Sequence, residues 1–409
     1  MRAVVFNLGC KVNRYESDVL AQELRSAGYD VFDELVPADI YVLNTCAVTA
    51  EAERKSRQSI ARCRALNANA KIFICGCASQ KSPDSFKKDN VVFIGGTSAK
   101  SVLLTHLEDA TLLSEIKENP STYEDSFLTT ANRTRAYVKI QDGCNSFCSY
   151  CIIPFLRGRS RSRGIDSIVK EVDVLSAQTS EIVLTGINLM EYGKDIGTSL
   201  AKLVRALSSV NVRIRIGSFY AEGITEEFLD ALFSLKKFCP HFHLSLQSGD
   251  DRILKDMNRK YTADIYRKKI EMIRSYDPNA CITTDIITGY PTEGEINHRN
   301  TVTFVRDLCF SDIHVFPFSA RVGTKAASLP VLSPGVVKER KDELLILKKR
   351  LQQNYLSQNI GMPQHVLTEE KDGDYYVGYS QYYIRVYTRR EGEITCIPTQ
   401  QHKDGLKEV

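Results

Sequence analysis

Short apolar runs alternate with amphipathic stretches through the first part of the chain, and this alternation limits the possible folds more than any other feature. The apolar runs are typical of buried strands and lie at Ala3–Leu8, Ile40–Leu43, Ile72–Ile74 and Val91–Ile94. The stretches between them are typical of helices and lie at Glu16–Ala27, Ala50–Ala65 and Ala99–Leu107. Strands joined through helices pair in parallel. We therefore predict a Rossmann- or flavodoxin-like α/β sheet covered by helices on both faces.

A second and longer alternation of the same kind follows. Its predicted strands are Ala136–Ile140, Glu181–Leu184, Arg213–Ile216, His241–Leu246, Ile282–Ile287 and Ile313–Phe316. Its predicted helices are Ile165–Ala177, Ser199–Ala206, Thr225–Leu235, Thr262–Ser275 and His298–Asp307. Repeated βα units in this number predict a partial (β/α)6 barrel. The active face of such a barrel lies at the carboxyl ends of its strands.

The composition changes at two further places and so divides the chain. The stretch Glu118–Asn132 is rich in Ser, Thr, Asn and Asp, and we predict that it is a linker. A charged helix is predicted over Val336–Gln358. After it, a small β-barrel is predicted from the short alternating runs His365–Glu369, Tyr375–Tyr379, Tyr382–Thr388 and Glu393–Pro398. The predicted domains are residues 1–117, 133–358 and 359–409, with the linker at 118–132.

Bulk composition excludes several classes of protein. Of 409 residues, 43% are hydrophobic and 25% are charged, which indicates globular domains rather than a disordered chain. A net charge of +4 gives only a weak indication of an anionic partner. The sequence shows no signal-peptide pattern and no apolar run long enough to cross a bilayer, so we expect a cytoplasmic protein. Its 12 cysteines are then expected to bind metal or to react rather than to form disulfides.

Three of these cysteines, Cys144, Cys148 and Cys151, lie within eight residues of one another just after a predicted strand. Thiolates suit iron–sulfur clusters because both partners are soft. Three thiolates cannot fill the four irons of a [4Fe–4S] cluster, so one iron would stay open for a substrate or cofactor. A structural zinc site, the competing interpretation, normally has four protein ligands.

A second set of cysteines, Cys10, Cys46 and Cys77, is spread along the first domain, but each member directly follows a predicted strand. The carboxyl ends of parallel strands meet at one edge of a sheet, so the three should converge there. Cys75 lies inside a strand and is expected to pack into the core. The remaining cysteines have no such context and are predicted to be packing residues: Cys63, Cys239, Cys281, Cys309 and Cys396.

The triplet resembles the signature of radical S-adenosylmethionine enzymes. With the second set, and with Ile153-Pro154, Arg157-Gly158 and Thr284-Asp285, the whole chain resembles the radical S-adenosylmethionine methylthiotransferase family. The resemblance implies two [4Fe–4S] clusters: a radical cluster on the triplet, and an auxiliary cluster on the second set. It also implies a carboxy-terminal barrel of the TRAM type. One S-adenosylmethionine would supply a methyl group and another a 5′-deoxyadenosyl radical, and a methylthio group would replace hydrogen.

The residues around Cys46 bear on the substrate. Cys46-Ala47-Val48-Thr49 and Lys55-Ser56-Arg57-Gln58 resemble the subgroup that acts on C2 of N6-threonylcarbamoyladenosine at position 37 of tRNA. This resemblance implies tRNA, an external electron donor and a sulfur source as partners. Two alternatives stay open. The target could be isopentenyladenosine-37 of tRNA or an aspartate of a ribosomal protein, or the chain could be an iron–sulfur RNA-binding protein without radical chemistry.

The same resemblance suggests which residues contact S-adenosylmethionine. The candidates are Tyr150, Gly186, Asn188, Ser218, Gln247 and Gly289. Gly186 follows the second barrel strand, where a backbone without a side chain lets a ligand approach closely. Two positions depart from the family pattern: Gly217-Ser218-Phe219-Tyr220 replaces a more usual Ser-Ser-x-Glu-Pro, and Thr292 stands where glycine is commoner.

Candidate RNA contacts come from three places. Arg157, Arg159, Arg161 and Arg163 alternate along the chain, and an extended segment would turn all four to one face suited to phosphates. Alternatively, some of them bind the cofactor carboxylate or pair with acids. Arg54 and Arg57 lie on the helix beside Cys46. In the carboxy-terminal module, Tyr383 and Arg385 combine an aromatic ring with a cation, which suits stacking on unpaired bases.

Overall fold

The structure, a computed structural model, describes residues 1–98, 100–109, 111–117, 120–131 and 133–408. The first residue of the helix predicted over Ala99–Leu107 lies outside the described residues, as do residues 118, 119 and 132 of the predicted linker and residue 409 of the β module. Among the described residues, no helix combines the length and the apolar composition that crossing a membrane requires.

The first unit is a parallel sheet. Its strands are β1 (Arg2–Asn7), β2 (Asp30–Phe32), β3 (Ile40–Thr45), β4 (Lys71–Gly76), β5 (Val91–Gly95) and β6 (Leu113–Glu115). Its helices are α1 (Lys11–Ser26), α2 (Ala50–Leu66) and the short α3 (Cys77–Lys81), with 3-10 turns at Pro83–Phe86 and Lys100–His106. The order β2-β1-β3-β4-β5-β6 is that of a flavodoxin-like sheet, with separate apolar clusters on its two faces.

The second unit is built on six parallel strands that follow one another in space as they do in sequence. They are β7 (Arg135–Lys139), β10 (Glu181–Thr185), β11 (Arg213–Ile216), β12 (His241–His243), β13 (Cys281–Thr288) and β14 (Asp312–Pro317). Single bridges such as Ile214 to Phe238 join β11 to β12, so the strands curve into a partial barrel. The short strands β8 (Gln141–Asp142) and β9 (Arg161–Ser162) pair beside it.

Helices cover the outside of this barrel, and its largest apolar cluster fills the space between them and the strands. The helices are α4 (Ile153–Arg157), α5 (Ile165–Ser176), α6 (Leu200–Ala206), α7 (Glu226–Phe233), α8 (Asp251–Asp256), α9 (Ala263–Tyr276) and α10 (Glu295–Asp307). Several begin at a Ser, Thr or Asp whose side chain accepts a backbone N–H of the first turn, as Thr262 does for α9.

The long helix α11 (Pro334–Gln358) leads from the barrel to a carboxy-terminal sheet. The sheet comprises β15 (Gln364–Asp372), β16 (Tyr375–Ser380), β17 (Arg385–Thr388), β18 (Glu393–Cys396), β19 (Gln400–His402) and β20 (Gly405–Lys407). Its order is β18-β15-β16-β17-β20-β19, and one pairing, between β17 and β20, is parallel.

A buried acid connects this sheet to the barrel. Glu181, at the start of β10, is fully buried and forms ion pairs with Arg135, Arg213 and Arg215. Two of these arginines also donate hydrogen bonds to backbone carbonyls of the carboxy-terminal sheet. Arg213 reaches the carbonyl of His365 at 3.0 Å, and Arg215 reaches that of Ser380 at 3.2 Å. One carboxylate therefore orients the cations that hold the two units together.

The sequence predicts the main elements but misses several short ones. The strands β2, β6, β19 and β20 have only three residues each, which is too short for a periodic pattern. Helix α1 begins at Lys11 instead of the predicted Glu16, directly after the extended residue Cys10. The helix predicted up to Leu107 is a 3-10 helix over Lys100–His106.

Candidate active site

The loop that carries Cys144, Cys148 and Cys151 runs from β8 to α4. Gly143 has a φ of +72°, and a Cβ there would lie 2.0 Å from the backbone oxygen of Arg159, so only glycine fits. Asn258, after α8, donates to the carbonyls of Ser146 and Phe147 at 3.2 and 3.0 Å. The loop is thus tied to the barrel on both sides.

The second set of cysteines converges as predicted at the carboxyl edge of the first sheet. Cys10 precedes α1, Cys46 follows β3, and Cys77 begins α3 directly after β4. Cys46 and Cys77 are buried, whereas Cys10 is exposed. Burial, with smaller contributions from the neighbouring Cys77 and Cys10, raises the pKa of the Cys46 thiol to about 12. The three thiols therefore lie close enough to influence one another.

The other cysteines separate into two groups. Cys75 is fully buried on the opposite face of the sheet from Cys77, which confirms that it packs in the core. Cys63, Cys239, Cys281 and Cys396 are buried, as predicted for packing residues. The same prediction is wrong for Cys309, which is exposed in a turn after α10 with a φ of +48°.

Neither cysteine trio has the compact spacing of a preformed site for a single metal ion. A single zinc with Zn–S bonds of about 2.3 Å would bring its sulfur ligands to about 3.8 Å from one another. Among the described residues, only His243, Asp285 and His314 place three metal-type ligand atoms within 4.8 Å of one another. Neither cysteine trio is drawn together to that extent, as expected for thiolates that bind separate corners of a cluster.

Buried charge beside Cys77 also fits an anionic cluster. A network of four cations and two acids lies between the trios, all of it buried, comprising Lys100, Lys139, Arg157, Arg161, Glu16 and Asp142. Two positive charges are therefore in excess within this network. Buried charges require partners. Thiolates of an iron–sulfur cluster at the adjacent trio would supply negative charge of the required sign.

Beside the triplet lies a buried cation that sequence reasoning missed. Arg259 is 7% exposed, and its Nε and Nη1 atoms have no hydrogen-bond acceptor. Its guanidinium stacks on Tyr220 at 4.2 Å, and the Tyr220 hydroxyl lies 3.6 Å from the Cys148 sulfur. Two unsatisfied buried N–H donors next to a proposed cluster fit the carboxylate of a bound amino acid such as the methionine moiety of S-adenosylmethionine.

Of the residues predicted to contact S-adenosylmethionine, two lie beside the triplet, and one of them, Tyr150, is also near Arg259. Burial raises the pKa of Tyr150, which also feels the charge of Arg259. Asn188 is buried, and its Nδ2 lies 4.0 Å from the Cys144 sulfur while its Oδ1 has no partner. Gln247 is also buried, with a φ of +75° and its N–H bonded to the Asp285 carbonyl.

The other three of these residues lie around two separate cavities. Gly186 and Ser218 line a cavity of about 610 Å³ inside the barrel. Gly289 does not line this cavity. It faces Val337 of α11 in another cavity instead, because the chain turns away at a φ of +73°.

The barrel cavity reaches from Cys10 to the carboxy-terminal sheet, and its wall is mixed, with a cluster of polar side chains among apolar and aromatic ones. The His243 Nε2 atom lies 3.2 Å from the Asp285 carboxylate, and its Nδ1 atom lies 2.9 Å from the Thr283 hydroxyl. Burial opposes the charge of Asp285, but hydrogen bonding from His243 and nearby imidazole charge keep the pKa of this carboxyl low. Burial lowers the pKa of His314. The three side chains could hold a divalent cation or bind a polar substrate group.

The prediction that Arg157, Arg161 and Arg163 form a phosphate-binding face is wrong. All three are buried, and only Arg161 lies in a strand, the two-residue β9. Arg157 pairs with Glu16 and Asp142, Arg161 donates to backbone carbonyls, and Arg163 pairs with Glu171. The alternative interpretation, pairing with acids, is the one found for all three, because Arg161 also forms an ion pair with Asp142 at 3.6 Å.

The other candidate RNA contacts lie at the surface, and each of the arginines has an acidic partner. Arg54 and Arg57 are on α2 and pair with Glu51 and Glu53. Arg385 pairs with Glu370 and Asp404.

Tyr383 occupies a more constrained position. It is 39% exposed, has a φ of +60°, and lies between the rings of His241 and Tyr379 at 4.4 and 4.7 Å. It also lines the barrel cavity. One face of its ring therefore packs against the barrel residue His241.

Comparison with known proteins agrees with this architecture. Residues 2–95 match the family model described as uncharacterized protein family UPF0004, and residues 138–305 match that of the radical SAM superfamily. The chain is 36% identical over 394 residues to the threonylcarbamoyladenosine tRNA methylthiotransferase of Thermotoga maritima, covering 92% of this chain and 89% of that protein. This chain belongs to the radical S-adenosylmethionine methylthiotransferase family. It is therefore an enzyme that transfers a sulfur-containing group, in a family that uses iron–sulfur clusters and S-adenosylmethionine.

Other members of this family differ in their named substrate. The Bacillus subtilis threonylcarbamoyladenosine tRNA methylthiotransferase is 36% identical over 406 residues, covering 94% of this chain and 90% of that protein. The tRNA-2-methylthio-N(6)-dimethylallyladenosine synthase of Pelotomaculum thermopropionicum is 35% identical over 391 residues, covering 91% and 87%. The radical S-adenosylmethionine methyltransferase from Kitasatospora setae shares the fold, with a TM-score of 0.56 at 16% identity, covering 77% and 72%. Identity alone separates the two tRNA substrates poorly.

Proposed function

We propose that this enzyme replaces the C2 hydrogen of N6-threonylcarbamoyladenosine at position 37 of tRNA with a methylthio group. The relatives from Thermotoga maritima and Bacillus subtilis carry that substrate in their names, and a dimethylallyladenosine relative is only slightly less identical. The choice between these substrates therefore rests on the site. The threonylcarbamoyl substituent is polar and carries a carboxylate, a hydroxyl and a urea, whereas the dimethylallyl substituent is a hydrocarbon.

The observation that carries the proposal is a cluster of polar side chains in the wall of the barrel cavity, which Cys10 also lines. His243, Asp285 and His314 gather there, with Lys11 and Asp312 at its wall. A polar substituent can replace the water hydrogen bonds of these groups. The three side chains are half-buried, and a hydrocarbon would displace water without replacing the hydrogen bonds that His243, Asp285 and Thr283 do not already make among themselves. Sites built to hydrogen-bond a substrate reject analogues that lack the bonding groups by large factors.

The cysteine trios receive separate roles in this proposal. Cys144, Cys148 and Cys151 would hold a radical [4Fe–4S] cluster with one iron open to S-adenosylmethionine. Cys10, Cys46 and Cys77 would hold the auxiliary cluster that donates sulfur. Burial raises the pKa of Cys46 and of Cys151 to about 12, so these thiols become thiolates only when iron binds and displaces the proton.

The side chains around the triplet bind, orient and exclude water. Arg259 would pair with the methionine carboxylate, while Tyr150, Tyr220 and Tyr261 close its surroundings to solvent. When bound, the cluster and S-adenosylmethionine supply the radical that removes the C2 hydrogen. His243 and Asp285 would hold the N6 substituent, and this contact fixes the base in the cavity.

Transfer RNA would approach through its anticodon loop, where position 37 lies. We propose that the carboxy-terminal sheet is a TRAM-type module and that Tyr383 and Arg385, with Arg54 and Arg57 of α2, contact the RNA. An external electron donor would reduce the radical cluster, and a sulfur source would restore the auxiliary one. We place the reaction in the cytoplasm, where tRNA is found and thiols stay reduced.

The test supplies the anaerobically reconstituted enzyme with S-adenosylmethionine, reductant and tRNA, followed by mass spectrometry of the nucleosides. One tRNA carries threonylcarbamoyladenosine at position 37, and a matched tRNA carries dimethylallyladenosine. We expect a gain of one methylthio group on the first only. Modification of the dimethylallyladenosine tRNA alone would show that dimethylallyladenosine is the substrate. Cofactor cleavage without a methylthio product on either would refute it.

Two variants separate the trios. Cys148→Ala should abolish cofactor cleavage, because it removes a ligand of the radical cluster. Cys46→Ala should keep cleavage but block methylthio transfer. Cys309→Ala, an exposed cysteine outside both trios, is the control and should keep both activities. Equal loss of cleavage in the first two variants would contradict the division of roles.

A further inference from the structure

Arg157 stands at the junction of the two cysteine trios. It is the last residue of α4, the short helix that follows Cys151, and its side chain is completely buried. Its guanidinium leaves the barrel unit and enters the first unit, where the Nε atom lies 3.4 Å from the Cys77 sulfur. One side chain on the triplet side therefore reaches a proposed ligand of the other trio.

Every N–H of this guanidinium has an acceptor. Nη1 donates to Glu16 at 2.9 Å and to Asp142 at 3.0 Å, and Nη2 donates to Asn13 and Glu16, both at 3.1 Å. An arginine has five N–H donors, and this geometry uses all five in a fixed plane. Asn13 in turn contacts the Cys10 sulfur at 3.4 Å and the carbonyl of Thr45 at 3.0 Å.

The residues that accept these hydrogen bonds lie next to both cysteine trios. Asp142 lies two residues before Cys144, while Asn13 and Glu16 lie on the helix that begins after Cys10. Thr45 directly precedes Cys46. Arg157 and Asn13 thus connect the segments around Cys10, Cys46 and Cys77 with the loop that carries the triplet. No other side chain among the described residues donates a hydrogen bond to the Cys77 sulfur in this structure.

We propose that Arg157 is a positioning residue that fixes the auxiliary-cluster loops against the radical-cluster loop, and that its N–H···S hydrogen bond raises the reduction potential of the auxiliary cluster. The inference rests on the proposed assignment of Cys10, Cys46 and Cys77 to that cluster. Hydrogen bonds to the sulfur ligands stabilise the electron-rich reduced form, and this is one of the recognised ways in which a protein sets a cluster potential.

The first measurement isolates the auxiliary cluster. In the full chain with Cys144, Cys148 and Cys151 all replaced by alanine, only the second trio can bind iron. A redox titration followed by the electron paramagnetic resonance signal of the reduced cluster gives its midpoint potential. Arg157→Lys keeps the positive charge but removes the planar fork, so we expect a shift to more negative potential at unchanged iron content.

The matched control is Arg161→Lys, in the same buried network. Arg161 donates to the carbonyls of Pro120 and Arg157 and to no sulfur atom, so its replacement should leave the potential unchanged. A wild-type potential in Arg157→Lys, or an equal shift in the control, would overturn the inference while leaving the cluster assignment intact. If the triple-alanine chain with Arg157 in place binds no iron, both the inference and the cluster assignment are overturned.

A second measurement needs no substitution at Arg157, and it decides the question if Arg157→Lys fails to fold or to bind iron. With arginine labelled by ¹⁵N, the hydrogen-bonded nitrogen should give a resolved hyperfine coupling in the electron–nuclear double resonance spectrum of the reduced auxiliary cluster. Absence of this coupling would overturn the inference. In the complete enzyme, Arg157→Lys should also raise the ratio of 5′-deoxyadenosine to methylthio product, as expected for a misplaced sulfur donor.

Discussion

Replacing Glu181 by glutamine should loosen the carboxy-terminal sheet from the barrel. This carboxylate is fully buried between Arg135, Arg213 and Arg215. Burial works against its charge, but the three arginines outweigh burial and lower its pKa from 4.5 to about 2. At 1.36 kcal/mol per pKa unit, the charged form contributes about 3 kcal/mol to the free energy of unfolding at neutral pH.

The assay is thermal unfolding of the purified chain together with limited proteolysis. For a unit of about 200 residues, 1 kcal/mol shifts the melting temperature by about 2–4 °C, so Glu181→Gln should lower it by about 6–12 °C. Protease should cut faster in residues 359–363, between α11 and β15. Glu227→Gln, in the exposed pair with Arg205, is the control and should change the free energy of unfolding by less than about 1 kcal/mol.

The pH dependence gives an independent check. The folded-state pKa of Glu181 is depressed, so its contribution is complete above pH 4.5 and is lost as pH falls from 4.5 towards about 2. The gap in melting temperature between wild type and Glu181→Gln should therefore be constant from pH 6 to 8 and narrow below pH 4.5. A variant that melts within 2 °C of wild type at pH 7, with unchanged proteolysis, would refute the reasoning.

Three further outcomes are expected. Arg259→Met should weaken S-adenosylmethionine binding by about 10- to 100-fold in equilibrium dialysis, because a charge-assisted hydrogen bond contributes about 1.5–3 kcal/mol. The same substitution should not destabilise the cluster-free chain, since it removes two buried nitrogen atoms that lack acceptors. Unchanged affinity would contradict this role. Asp285→Asn should lower the rate of methylthio transfer to threonylcarbamoyladenosine about 10-fold or more in single-turnover assays, while cofactor cleavage continues. An equal loss of transfer and of cleavage would show that Asp285 has a structural role instead. In the cluster-free chain at pH 8, iodoacetamide should modify exposed Cys309 long before buried Cys46. The rise in the pKa of Cys46 from 9.0 to about 12 lowers the thiolate fraction of that residue about a thousandfold. Equal rates of modification by peptide mass spectrometry would contradict the buried position of Cys46.

The sequence predicts the positions of these cysteines at the strand ends because their signal is local. Each cysteine of the second trio follows a run of buried residues, and parallel strands bring such positions to one edge wherever the intervening helices lie. The three cysteines of the triplet are recognised directly from their spacing along the chain. These two rules place Cys46 and Cys77 correctly with no knowledge of side-chain contacts.

The buried charges could not be predicted in the same way. Arg157 and Arg163 stand in a polar stretch that resembles a solvated face, and their partners Glu16 and Glu171 come from elements that only the fold brings together. Arg259 follows a short helix and has no periodic or spacing signal at all. Its role emerges only from two donors without partners beside the triplet.

The docking of the carboxy-terminal sheet has a consequence for how the family can diversify. Arg213 and Arg215 donate to the main-chain carbonyls of His365, Tyr379, Ser380 and Gln381, not to their side chains. Carbonyl groups are present whatever residues occupy those positions. These main-chain bonds therefore tolerate sequence changes in the outer module, whereas Glu369 and Tyr383 are held to the barrel through their side chains. Positions of this sheet that make neither kind of contact can vary while the module keeps its attachment.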